Sequence, residues 1–194
     1  MATPREEWPE DWSSDGNYIV VTTETPGVNR CDIWYMKKQP DGSFTSAPFL
    51  VDPNVYRDAA KLSPDGHFLA YVSSETGKLQ IWVSPFPQGG RTWQVSEAGG
   101  TQPRWSRDGK ELFYVQRDTL FAVPVSTRPI FSMGRPKRLF THPGLYSRFR
   151  HAAYDVSADG KKFVVIEPVG SIPPLTIRVV QNWFAEFQDR RRKN

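Results

Sequence analysis

The stretch Thr101-Gln102-Pro103-Arg104-Trp105-Ser106-Arg107-Asp108-Gly109-Lys110-Glu111-Leu112-Phe113-Tyr114-Val115 decides the architecture. Its centre, Ser106-Arg107-Asp108-Gly109, is a turn signal with a mechanism. Glycine enters positive φ at little steric cost and Asp bonds its own downstream backbone, so the chain reverses tightly between two apolar runs. The pattern occurs three more times, as Asp11-Trp12-Ser13-Ser14-Asp15-Gly16-Asn17-Tyr18-Ile19-Val20-Val21, Lys61-Leu62-Ser63-Pro64-Asp65-Gly66-His67-Phe68-Leu69-Ala70-Tyr71-Val72 and Asp155-Val156-Ser157-Ala158-Asp159-Gly160-Lys161-Lys162-Phe163-Val164-Val165-Ile166. Successive Asp-Gly pairs lie 50, 43 and 51 residues apart. That is the period of four-stranded propeller blades. Asp15, Gly16, Asp65, Gly66, Asp108, Gly109, Asp159 and Gly160 therefore read as structural turn residues. A calcium loop would need several carboxylates at alternate positions.

Outward from each turn the rest of a blade follows. Leu79 to Phe86 reads as a third strand and Thr92 to Ser96 as an outer fourth. Asp32 to Met36 and Phe44 to Leu50 hold those places in the first copy, and Leu120 to Val125 and Lys137 to Phe140 in the third. The expected fold class is all-β: a β-propeller of four four-stranded antiparallel blades, over about 9–51, 56–97, 101–141 and 152–183. Three forms satisfy it: a small closed ring, a partial propeller, or half of a dimeric ring. Residues 184–194 are a short cap and basic tail, and a strand near Arg5 to Trp8 is a candidate to complete the last sheet. The 7 Trp and 12 Phe fit the wedges between neighbouring sheets, with Trp12 matching Trp105 and Trp34 matching Trp82.

Residues 56–183 also resemble TolB-like propeller repeats, in the version that follows a kinase domain in bacterial receptor-like serine/threonine kinases. The resemblance rests on Tyr56-Arg57-Asp58-Ala59, Ser63-Pro64-Asp65-Gly66, Trp82-Val83-Ser84-Pro85-Phe86-Pro87, Trp93-Gln94-Val95-Ser96, the stretch from Gly99 to Tyr114, and Val179-Val180-Gln181-Asn182-Trp183. It implies a sensor or scaffold of six to eight blades in a parent protein, usually outside the cytoplasmic membrane. The kinase motifs themselves are absent from this sequence: it has no glycine-rich phosphate loop, His-Arg-Asp or Asp-Phe-Gly. Four visible repeats are fewer than most such propellers carry, so self-association through open blade faces is a possible partner arrangement.

Composition narrows the function. The chain has 194 residues, with 25 Lys and Arg against 21 Asp and Glu, for a formal net charge of +4. Four of those positive charges are Arg190, Arg191, Arg192 and Lys193, and without them the balance is neutral. A nucleic-acid binder concentrates charge on a folded face, so no specific nucleic-acid partner is expected. No run of about 18 apolar residues exists, and the N-terminus lacks a secretory pattern, so no membrane insertion is expected and the compartment stays open. A lone Cys31 builds neither a disulfide nor a thiolate metal site.

Chemistry finds little support. There is no Gly-x-Ser-x-Gly elbow, and His67, His142 and His151 lack metal-ligand spacing, so no catalytic residue, cofactor or metal is expected. What remains is binding at the axis. Loops entering the first strands carry Arg57, Asp58, Gln102, Arg104, Arg148, Arg150 and His151, which would ring one channel mouth. Two readings of these arginines stand side by side: forks for a carboxylate of a protein or peptide, or ion pairs bridging blades to Asp58 or Asp155. The expected role is a non-catalytic interaction or sensor module. The alternative is the accessory propeller of a prolyl-oligopeptidase-like hydrolase, or a small hydrolase without a recognisable motif.

Overall fold

The structure is a computed structural model and describes residues 6–24, 27, 30–146 and 152–166. The first sheet runs β1 (Glu6–Trp12), β2 (Tyr18–Glu24), β3 (Cys31–Lys38) and β4 (Phe44–Leu50), each antiparallel to the next. The second runs β5 (Arg57–Leu62), β6 (Phe68–Ser73), β7 (Gln80–Pro85) and β8 (Trp93–Gln94). The third comprises β9 (Thr101–Trp105), β10 (Glu111–Gln116) and β11 (Thr119–Ser126), with β12 (Ser132–Met133) and β13 (Lys137–Thr141) both pairing β11. β14 (Tyr154–Val156) and β15 (Phe163–Val165) form the fourth.

Four sheets stand in chain order, as the repeat requires, and among the described residues they do not close into a ring. Strand number also departs from four: the third sheet gains β12, a two-residue strand too short for any alternation to announce, and the fourth has two strands among the described residues. Glu6 to Trp8 does not complete a last sheet. Those residues are the start of β1 and pair Thr22 to Glu24, because Glu6–Trp12 is one continuous strand. The cap and tail expected at 184–194, and the end of the fourth blade expected to run to 183, lie outside the described residues.

One turn is built four times from the same bonds. The turn serine hydroxyl accepts the amide five residues on, from Tyr18, Phe68, Glu111 and Lys162 in turn, at 2.8–3.0 Å. The same hydroxyl donates to the carboxylate of Asp15, Asp65, Asp108 or Asp159. That carboxylate also accepts the amide two residues ahead of it. Gly16, Gly66, Gly109 and Gly160 all take φ between +69° and +73°, where a Cβ is strained. The serine bonds hold the carboxyls of Asp15, Asp108 and Asp159 below their ordinary value. At Asp65 burial pushes the other way, and bonds from Ser63, Thr127 and His67 outweigh it.

Removing one of these hydroxyls has a measurable expectation. Ser106 is buried, so Ser106→Ala leaves the Glu111 amide and the Asp108 carboxylate each short of one bond. A loss of about 1–2 kcal/mol is expected in urea unfolding. An unchanged midpoint would show that the turn is held by glycine geometry alone.

The seams between sheets are apolar and continuous. Val20, Ile33, Tyr18, Tyr35 and Phe49 of the first sheet meet Ala60, Leu62, Leu69, Tyr71 and Phe86 of the second. Phe68, Ala70, Val72, Ile81, Val83 and Val95 meet Trp105, Leu112, Tyr114, Val123 and Val125 across the next. Phe113, Val115 and Leu120 meet Tyr154, Val156, Phe163 and Val165 across the third. Trp105 fills its wedge as expected, but Trp12 does not: it is 61% exposed.

Candidate functional site

In the first three sheets the pairing of the first strand carries an irregularity before the turn. Register shifts between Pro9 and Asp11 in β1 and between Asp58 and Lys61 in β5, and β10 shifts between Phe113 and Val115 opposite β9. Ala59 and Gln102, at one repeat position, both take a left-handed φ, of 53° and 58°. Such a bulge re-aims the residues that follow it. Two residues before each turn serine stand Asp11, Lys61, Arg104 and Asp155, four equivalents from four sheets. All four line one cavity of about 290 Å³, with Leu62, Pro64, Trp105, Ser106 and Arg107.

Backbone bonds across the seams hold this ring in place. The Leu62 amide donates to Asp11 Oδ2 at 2.8 Å, and Trp105 Nε1 donates to the Lys61 carbonyl at 3.0 Å. Arg104 Nε lies 3.9 Å from Asp155 Oδ1, a loose pair whose carboxylate is mostly solvated. Lys61 Nζ donates to the Glu10 carbonyl and stands 4.0 Å from Glu10 Oε2. Burial lowers the Lys61 pKa and the nearby Arg104 guanidinium adds to it, against Asp11, Glu10 and Asp155. Two cations thus face one cavity, and Arg104 disfavours the charge on Lys61.

Behind Lys61 sits an acid pair. Asp58 is buried, accepting from Tyr56 Oη at 2.6 Å and from the Ala59 amide at 2.7 Å. The Glu10 pKa is raised to about 7, first by burial and then by the Asp58 charge, with Lys61 and the Thr22 hydroxyl opposing.

The expected axial residues fare differently. Arg104 lines the cavity; Asp58 lies behind it. Arg57 is buried at the seam of the first two sheets, with Nη2 on Glu75 Oε1 at 2.8 Å and its Nε and Nη1 without hydrogen-bond partners. Gln102 is buried between the third and fourth sheets, donating to the Leu145 carbonyl at 3.2 Å and accepting from the Ala153 amide at 2.6 Å. Arg148, Arg150 and His151 lie outside the described residues. Lys61, Arg107 and Glu10 were missed, although the repeat alignment itself places Lys61 in register with Arg104. Among the described residues no group of three His, Cys, Asp or Glu side chains could hold a metal, and no helix is long and apolar enough to cross a membrane.

Solved structures share this arrangement. TolB from Acinetobacter baumannii aligns with 86% of the chain at 21% identity and a TM-score of 0.54, the match covering 39% of that protein. A protein of Bacteroides uniformis assigned as a 6-phosphogluconolactonase aligns with 83% at 17% identity and a TM-score of 0.56, covering 47%. A prolyl endopeptidase aligns with 83% at 17% identity and a TM-score of 0.53, covering 26%. The fold is a TolB-like β-propeller. No family model and no curated protein matches the sequence. The chain spans less than half the length of each of these three proteins. At such identities the likeness carries the propeller architecture alone. It includes TolB and hydrolase-associated propellers alike.

Proposed function

We propose that this propeller is a non-catalytic interaction module which takes a carboxylate of an acidic protein or peptide segment into the cavity between Lys61 and Arg104. The observation that carries the reading is the convergence of two cations on one cavity, of which Arg104 has only a loose carboxylate partner. Arg104 has a 3.9 Å pair to Asp155 and a 3.5 Å contact from Nη1 to its own Pro103 carbonyl, which leaves its planar fork available. Arg107, exposed at the rim, extends the positive surface outward. A carboxylate entering there relieves the mutual repulsion of Lys61 and Arg104 and gains a charge-assisted bond to each. Asp11 and Asp155 on the same wall give the site a sign pattern, disfavouring a bare polyanion and favouring a segment of mixed charge.

The second reading, an accessory propeller of a hydrolase, draws on the likeness to a prolyl endopeptidase and to a lactonase-type protein. No nucleophile with an adjacent base lines the cavity; Ser106 Oγ is committed to Asp108 and to the Glu111 amide.

A labelled decapeptide that alternates Glu with Lys, followed by fluorescence anisotropy, tests the leading reading. Arg104→Gln with Arg107→Gln is expected to weaken capture at least tenfold, about 1.4 kcal/mol, without lowering the melting temperature. Equal capture of the Gln-substituted peptide by the native chain would reject a carboxylate site. Turnover of simple esters or lactones by the purified chain would reject the non-catalytic assignment.

A further inference from the structure

The residue just before the axial charge is buried in the second, third and fourth sheets, where it is Ala60, Pro103 and Tyr154. In the first sheet the same position holds Glu10, with a side chain 17% exposed. Ala, Pro and Tyr satisfy the packing there, so the repeat itself does not call for a carboxylate. The bulge in β1 supplies the local geometry. Pairing passes from Pro9 opposite Val21 to Asp11 opposite Val20, and Glu10 is the extra residue between them. A bulged residue leaves the alternation of its strand and its side chain is re-aimed. Here the carboxylate comes to 4.0 Å from Lys61 Nζ, and the same ammonium donates to the Glu10 carbonyl.

Lys61 therefore serves two neighbours, the cavity that it lines with Arg104 and the carboxylate of Glu10. The strands β2 and β5 pack against β1. From β2 the Thr22 hydroxyl meets Glu10, and from β5 come Lys61 and Asp58. Asp58 is buried and accepts from Tyr56 Oη and the Ala59 amide. Asp11 of β1, Arg104 of β9 and Asp155 of β14 act on Lys61 from the cavity side. Burial first, and the Asp58 charge next, push the Glu10 carboxyl up to about 7.

We propose that capture of a ligand carboxylate by Lys61 and Arg104 is gated by a proton, which Glu10 takes up as the ligand binds. The gate rests on the reading of that cavity as a carboxylate site. An ionised Glu10 holds the Lys61 ammonium to itself, and an arriving carboxylate adds a further anion beside Glu10 and Asp58. Protonation of Glu10 removes one of these anions and leaves the Lys61 charge to the ligand. Bound carboxylate in turn strengthens the hold of Glu10 on its proton, because such coupling is reciprocal. The bound state thus carries more proton than the free one, so capture tightens as the pH falls through about 7. Glutamates of the ligand, with an ordinary pKa of about 4.3, stay ionised across that window.

Anisotropy titrations with the alternating Glu-Lys decapeptide at pH 6 and pH 8.5 read the gate directly. The native chain is expected to bind about tenfold more tightly at pH 6. Glu10→Gln should bind at pH 8.5 about tenfold more tightly than the native chain does there, and should lose the pH dependence. Calorimetric titration of the native chain at pH 7.5, in two buffers of different ionisation enthalpy, should show a fraction of a proton taken up per peptide bound. That measurement requires no variant to fold. Equal native affinity at both pH values, a dependence that Glu10→Gln retains, or binding without proton uptake would overturn the gate and leave the carboxylate site standing. Capture absent at both pH values, or undiminished when the peptide's Glu residues are replaced by Gln, would overturn the carboxylate site and the gate together.

Discussion

Phe86→Ala is expected to destabilise the chain by about 3–5 kcal/mol, a large part of what a domain of this size possesses. Phe86 opens the turn that follows β7 of the second sheet but completes the core of the first. Its ring is 1% exposed and stands edge-on to Tyr18 at 5.2 Å, Tyr35 at 5.4 Å and Phe49 at 5.2 Å between centroids. Those three come from β2, β3 and β4, so one side chain ties every outer strand of the first sheet to its neighbour. The Phe86 amide is anchored separately, to the His67 carbonyl at 2.8 Å, so truncation leaves the ring's volume empty rather than filled by a collapsing loop. Phe86→Leu keeps most of that volume and should cost about 1.5 kcal/mol or less. Urea unfolding followed by near-ultraviolet circular dichroism reads both, because Tyr18 and Tyr35 lose a fixed environment with the ring. A Phe86→Ala chain within 1 kcal/mol of the native one would mean that the seam does not depend on this cluster.

The turns and the strands following them were legible because their causes are local. Ser-x-Asp-Gly contains every donor and acceptor its turn uses, and the apolar runs beside it need only pair. Trp12 shows where local reasoning stops. Its repeat position says wedge, but a wedge exists only where a sheet lies on each side, and that is a property of the array. The axial charges show a second limit. Attention to the loops entering the first strands nominated Arg57 and Gln102, which are buried and already bonded at seams. The left-handed φ at Ala59 and Gln102 turns the chain between those loops and the axis, and nothing in either side chain announces it. Lys61 was within reach all the same. Asp11, Lys61, Arg104 and Asp155 align without a gap from the turn serines, and four charged residues at one inward position already describe a site.

Glu10→Gln is expected to change how stability depends on pH more than any surface substitution. Burial and the Asp58 charge raise the Glu10 pKa from an ordinary 4.5 to about 7, in spite of Lys61 and Thr22. Folding therefore takes up a proton between those values. The stability contributed by protonated Glu10 is fully present below pH 4.5 and is lost as the pH rises through about 7. A glutamine holds the neutral shape at every pH. The variant should match the native chain at pH 5 and exceed it at pH 8 by about 2 kcal/mol, short of the full linkage value because the carboxyl keeps some contact with water. The turn aspartates act in the opposite direction and elsewhere on the scale. Their pKa values are lowered, so what they contribute is present at neutral pH and disappears only as the pH falls through those lowered values. Stability is thereby expected to peak in mildly acid solution, with the alkaline side of the peak set by Glu10 and the acid side by the four turns. Melting temperatures of both chains at half-unit steps from pH 5 to 8.5 measure it. Parallel curves across that window would show that Glu10 takes up no proton on folding.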